Sequence, residues 1–187
     1  DFTCSIDHAG NAWCWGGNVD GQLGDGSTTD SLEPVRVQNL PPVKDITASE
    51  ENSVCALSVD ESVYCWGSGN SGQLGNGSSS DLNLPGPVQL PGAGVQKIAL
   101  GLKLGCALHH SGEVSCWGNS TFLGTSLVTG NLPQLVEGLD QIIDIDVSTH
   151  SCAVRSDGDL FCWGQHNDVG QQGTEDLISR LIPKIGR

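Results

Sequence analysis

The residues best suited to chemistry in this chain are its eight cysteines. They fall into pairs with nine residues between the members: Cys4 and Cys14, Cys55 and Cys65, Cys106 and Cys116, Cys152 and Cys162. No cysteine is left over, so the pattern predicts four disulfides and an oxidising compartment, because cytosolic thiols are held reduced. Zinc is the poorer reading: the spacing is not that of a zinc knuckle, and no histidine completes a four-ligand set. Catalysis has less to stand on. His109-His110 lies beside Ser111 at an expected turn, with no acid placed to orient a base. The loops Asp25–Asp30, Asn76–Asp81 and Thr174–Asp176 offer oxygen atoms of the type calcium takes, but they also read as ordinary Gly-Ser-Thr turns. Glycine-rich stretches such as Gly21-Gln-Leu-Gly24 lack the lysine and the strand-to-helix setting of a phosphate cradle. No cofactor, metal or catalytic residue is therefore expected, and the chain is read as non-enzymatic. Two sequons, at Asn76 and Asn119, are candidate glycosylation sites.

Those cysteines must be held by repeated elements. The first members of the pairs are 51, 51 and 46 residues apart, a period typical of propellers and solenoids. Each second cysteine is followed by Trp-Gly, at Trp15-Gly16, Trp66-Gly67, Trp117-Gly118 and Trp163-Gly164. The chain divides into one region, 1–187, with units at about 1–42, 43–94, 95–141 and 142–187. Each unit reads as four short strands. The first is placed at Ile46–Ser49, Ile98–Gly101 and Ile145–Ser148, the middle two carry the cysteines, and the fourth is placed at Val35–Val37 and Val88–Leu90.

Counting inward from a cysteine pair tests the hairpin. If Cys152 faces Cys162, then Ala153 faces Phe161, Val154 faces Leu160, and Ser156-Asp157-Gly158 remains as a loop wanting a left-handed residue at its end. Gly10, Gly112 and Gly158 meet that need, whereas Glu61 stands there in the second unit and predicts a strained or different turn. Alternation makes both hairpin faces apolar, which calls for cover on both sides, as a blade between two blades receives. Directly opposed cysteines bridge without distortion at the close, non-hydrogen-bonded pairs of an antiparallel ladder. Each such bridge closes a loop of about ten residues and contributes about 2–3 kcal/mol on a chain-entropy estimate.

Composition narrows the partners. The formal charge is −14 with eight Lys and Arg that form no cluster, so neither nucleic acid nor an anionic membrane finds a footprint. No apolar run reaches membrane-spanning length. With 26 Gly, eight Pro and no Met, the chain is turn-rich and reads as a processed or partial chain, without a visible signal peptide.

Cys-Ala-Leu at Cys55–Leu57 and Cys106–Leu108, the four Cys-Trp-Gly runs and the Gly-Gln-Leu-Gly loops together resemble the repeats of the regulator of chromosome condensation family. The likeness covers essentially the whole chain and is nearest to the cysteine-paired extracellular branch. It implies an all-β propeller of four-stranded antiparallel blades, seven in the best-known members. His150 matches the family pattern; Phe2, Ser53 and Leu104 stand at its place in the other units, Ser49 and Ser148 replace a usual glycine, and the third unit lacks the loop glutamine. Four units are fewer than such a ring holds, and an exposed blade edge is expected to be covered by further blades of the same polypeptide or by other copies. The functional expectation is a secreted or cell-surface, non-enzymatic module that scaffolds, adheres or forms fibres through protein contacts, with a glycan as a further candidate partner. The alternatives are an inhibitor resembling the β-lactamase inhibitor propellers, and a propeller-framed enzyme such as a lyase.

Overall fold

In the computed structural model, residues 1–92, 94–119, 130–164 and 180–185 are described, with side chains of 180–182, 184 and 185 excepted. The fold is all-β: four antiparallel blades resembling part of a propeller and not closed into a ring. The first blade has three strands, β1 (Phe2–Ile6), β2 (Ala12–Gly16) and β3 (Ser31–Arg36), in that spatial order. The second runs β4 (Val43–Ala48), β5 (Ser53–Ser58), β6 (Val63–Gly67) and β7 (Leu82–Pro87). The third has β8 (Val95–Leu100), β9 (Leu104–His109), β10 (Val114–Gly118) and β11 (Gln134–Leu135), and the fourth β12 (Ile142–Val147), β13 (His150–Arg155), β14 (Leu160–Gly164) and β15 (Arg180–Ile185).

The cysteine hairpins have the register that inward counting requires: Cys152 faces Cys162, Ala153 faces Phe161 and Val154 faces Leu160. Glu61 sits at φ 67°, where Gly10, Gly112 and Gly158 sit at 81°, 82° and 95°. The second turn is thus built like the others, and Glu61 bears the left-handed strain.

Two strand placements differ from the sequence reading. The inner strands begin three residues earlier, at Val43, Val95 and Ile142, and each shifts register once near its start, as between Val43 and Asp45. The outer strand of the second blade is Leu82-Asn-Leu-Pro-Gly-Pro87, ahead of Val88–Leu90. Two prolines and a glycine conceal it from propensity rules, but on the outermost strand an absent N–H leaves no ladder bond unmade. Val88 follows it and still donates its N–H to the Val63 carbonyl at 2.9 Å.

There is one core layer per junction. Between the first and second blades lie Ala12, Cys14, Leu23, Val54, Ala56 and Trp66. Between the second and third lie Leu57, Val63, Leu74, Ile98, Ala107 and Trp117. Leu108, Val114, Ile145, Ala153, Phe161 and Trp163 fill the next junction. At each of these junctions the disulfide face of one hairpin meets the tryptophan face of the next. Burial on both faces makes β5 and β9 uniformly inaccessible, while Thr3 and Ser5 of β1, with no blade against them, are exposed.

Candidate protein-interaction site

The cysteine pairs Cys4–Cys14, Cys55–Cys65, Cys106–Cys116 and Cys152–Cys162 are bridged, with Cα–Cα distances of 4.1 Å in the first three and 4.2 Å in the fourth. These are close cross-strand pairs, and no cysteine is free. Their role is to hold the blades, which in turn present loops at the two ends of the stack.

The loop end carries the segments after Trp15-Gly16 and Trp66-Gly67 and the short turns between the first two strands of the second, third and fourth blades. Its organisation rests on a recurring latch. The Trp66 indole N–H donates to the Gln22 backbone carbonyl at 2.9 Å, and the Trp117 indole N–H donates to the Gln73 carbonyl at 2.8 Å. Each tryptophan thereby binds the Gly-Gln-Leu-Gly loop of the blade before it. The loop's last glycine is dictated by the same contact: a Cβ on Gly24, at φ 66°, would lie 2.8 Å from Trp66 Nε1. Trp163 is equally buried, but its Nε1 has no hydrogen-bond partner among the described residues. Trp15, on the uncovered face of the first blade, is half-buried. Gly16, Gly67, Gly118 and Gly164 end the strands that carry these tryptophans.

Within the first loop, Asn18 is fully buried and donates through Nδ2 to the Ser27 and Thr29 carbonyls, while its Oδ1 accepts from Leu23 N at 2.9 Å. Asp30 accepts from Asn18 N and Asp81 from Gly69 N, both at 2.8 Å. Asp25 and Asn76 occupy equivalent turns, accepting from Ser27 N and Ser78 N at 2.9 Å. Asp20 reaches the second blade, where Asn52 Nδ2 donates to it at 2.9 Å. These carboxylates hold backbone, and among the described residues no group of three or more His, Cys, Asp or Glu could hold a metal ion. The segment Thr174–Asp176 lies outside the described residues.

Charge separates the two ends. Asp20, Asp25, Asp30, Glu50, Glu51 and Asp81 belong to the loop end, where Lys103 is the one Lys or Arg among the described side chains, and none of these acids is in an ion pair there. At the hairpin end some acids meet cations, while Asp7, Asp60 and Glu113 accept from Asn11, Ser58 and Ser111 instead. Glu61 accepts from His110 Nε2 at 2.9 Å and lies 3.7 Å from Lys44. The hydrogen bond from His110 is the main cause that lowers the Glu61 carboxyl below its ordinary range. Arg155 pairs with Asp157 at 3.0 Å and also with Asp159, which lowers Asp157 and raises Arg155. Along β8 and β12, Lys97 bonds Asp144 at 2.5 Å and lowers that carboxyl.

The His109-His110-Ser111 run is split by the fold. His109 is buried with Nε2 2.7 Å from the buried Ser115 Oγ, His110 is exposed against Glu61, and Ser111 Oγ donates to Glu113. Asn119 donates its backbone N–H to the Lys103 carbonyl. Sequence reasoning overlooked Asn18, Asn52 and the glutamine carbonyls. The signal available for the last was the repetition of Gln-Leu-Gly at a near-constant distance after Trp-Gly.

Stacked disulfide-pinned blades latched by indole-to-loop bonds define a segment of a β-propeller. The regulator of chromosome condensation (RCC1) repeat model matches residues 9–56 and 60–108, and a second model of that repeat matches 43–73 and 147–171. The chain belongs to the RCC1 repeat family. It is 35% identical to the human E3 ubiquitin-protein ligase HERC2 over 92% of its own length, and 32% identical to the Arabidopsis thaliana mitochondrial RCC1 domain-containing protein RUG3 over 64%. The matches span only 4% and 27% of those proteins. Among solved structures it is similar to human WBSCR16 (TM-score 0.85, 24% identity, all of this chain and 51% of that one). Yeast RCC1 (Prp20) bound to Kap60 superposes with a TM-score of 0.87 at 20% identity, over all of this chain and 47% of that one. Prp20p from Saccharomyces cerevisiae, described with its binding to Gsp1p and histones, has a TM-score of 0.83 at 26% identity, over 98% of this chain and 48% of that one.

These relatives correct the extracellular reading. The likeness is to Prp20, not to a cysteine-paired extracellular branch, which overturns the secreted or cell-surface placement, the extracellular character of the module and the glycoprotein expectation. The physical reason lies in where the cysteines sit. A close cross-strand pair pressed against the next blade asks for small apolar side chains, a need cysteine meets on packing grounds alone. Such a pair follows from blade geometry and does not specify a compartment. The expectation of a protein partner agrees with the relatives. Among the described residues no helix is long and apolar enough to cross a membrane.

Proposed function

We propose that this chain is a non-enzymatic, protein-binding segment of an RCC1-type propeller whose loop end receives a basic stretch of a partner protein. The observation that carries this reading is the row of carboxylates at the loop end that stand without ion pairs among the described residues, whereas Glu61, Asp157 and Asp159 at the hairpin end meet Lys44, His110 and Arg155. Unneutralised charge of one sign on rigid loops steers an oppositely charged partner and sets its orientation. Yeast Prp20 supplies the precedent, since it is seen bound to Kap60 and is described with its binding to Gsp1p and histones. The uncovered faces of the first and fourth blades are read as seats for further blades, from the same polypeptide or another copy, in keeping with a chain that spans about half of its solved neighbours.

The test is titration of the folded chain with purified core histones and with a lysine-rich peptide, across a salt series. Binding should weaken by about tenfold or more as salt rises through the range where the Debye length falls below 10 Å. Replacing both Glu50 and Glu51 by Gln, which removes charge without touching a loop-holding carboxylate, should weaken it further. Binding indifferent to both changes would overturn the reading.

A further inference from the structure

Asn76-Gly77 is the one Asn-Gly pair in the chain, and we propose that it is a deamidation site whose rate is gated by the junction between the second and third blades and whose aspartate product the fold accepts. The chemistry needs only water. The Gly77 backbone nitrogen attacks Asn76 Cγ, the Cγ–Nδ2 bond breaks, and ammonia leaves with the amide proton. Water then opens the five-membered imide to aspartate or isoaspartate. A following glycine favours the attack, because no side chain shields its nitrogen.

Two observations place this reaction in the fold. The first concerns the nucleophile. Gly77 N donates to the Asn131 carbonyl across the blade junction at 2.8 Å, so its attack on Cγ requires the junction to open locally. The second concerns the product. The first blade already carries an aspartate in the equivalent turn: Asp25 Oδ1 accepts from Ser27 N at 2.9 Å, as Asn76 Oδ1 accepts from Ser78 N, and Gly26 N donates to the Asn83 carbonyl at 2.9 Å. Aspartate at 76 therefore keeps every bond that the turn uses through its side-chain acceptor. It also adds a negative charge to a loop end that already holds Asp25, Asp30 and Asp81. Isoaspartate instead inserts a methylene into the backbone and pulls Gly77 away from Asn131.

The test is incubation of the full chain at mildly alkaline pH with peptide mapping by mass, each converted asparagine gaining about 1 Da. Conversion should concentrate at Asn76 ahead of Asn52, Asn70 and Asn119. It should accelerate several-fold in Gly72→Ala, whose Cβ would lie 2.4 Å from Asn131 Oδ1 and pry the junction apart. Should that variant not fold, a series in sub-denaturing urea serves instead: conversion at Asn76 should rise in parallel with hydrogen exchange of the Gly77 amide. Asn76→Asp should hold its Tm within about 2 °C of the parent. The proposal is overturned if Asn76 stays intact while another asparagine converts, if conversion ignores exchange at Gly77, or if Asn76→Asp melts several degrees lower.

Discussion

Glu61 shows how a single side chain can only partly offset a poor backbone choice. Its φ of 67° is one that the other three hairpins assign to glycine, and its carboxylate in return reaches His110 on the next blade and Lys44 on its own. Exposed ion pairs of this kind contribute little, and the left-handed penalty outweighs them. Glu61→Gly should therefore raise the Tm, by about 1–3 °C, whereas Glu61→Gln keeps the strain and should lower it slightly; thermal melts of the two variants check the sign. Asp7 is the counterpart in the first hairpin. The Asn11 side chain, then the Trp13 indole, hold its carboxyl far below the usual carboxylate range. A depressed folded-state pKa stabilises the fold above the ordinary carboxylate range, and that contribution is lost only as pH falls through the lowered value. Trp13 emission should thus stay constant down through pH 4 and change in stronger acid, and Asp7→Asn should abolish the step.

At the scale of elements, the tryptophan latch is the device that turns separate hairpins into a stack. Trp66 and Trp117 each complete an acceptor on the preceding blade, while Trp163 is buried with an unpaired indole nitrogen among the described residues. Replacement by phenylalanine should accordingly cost more at Trp66 than at Trp163. At Trp66 the buried Gln22 carbonyl loses its donor, a penalty of about 1–3 kcal/mol, whereas at Trp163 no such bond is lost among the described residues. Urea unfolding of the two variants measures the difference, and equal costs would show that volume alone decides.

Charge acts over the whole molecule. A net −14 on 187 residues with few cations makes self-repulsion a standing cost, and the carboxylates of the loop end lack compensating ion pairs among the described residues. Adding monovalent salt should raise the Tm progressively until the Debye length falls to a few ångströms, as scanning calorimetry across a sodium chloride series would show. A Tm that fell with salt would mean that pairs such as Lys97–Asp144 outweigh the repulsion.

The hairpins were legible in the sequence because they are local. Cys-to-Cys spacing, alternation and turn glycines all act within about a dozen residues, so register, face and the exception at Glu61 followed from counting. The outer strand Leu82–Pro87 was not legible, because its prolines oppose strand propensity and only its position at the edge of a blade makes them harmless. Nor were the latch and the charge asymmetry. Each joins residues more than thirty positions apart in sequence, as Trp66 to Gln22 or Asn52 to Asp20, and depends on which faces the stacked blades bring together. Compartment was misread for a related reason: the cysteine pattern reports a packing need at the junction between blades, and an identical need arises wherever such blades stack. The sequence by itself determined the blade and its repetition, since those rest on neighbours along the chain. Only the tertiary structure decided what each loop end presents, because that is set by contacts between blades.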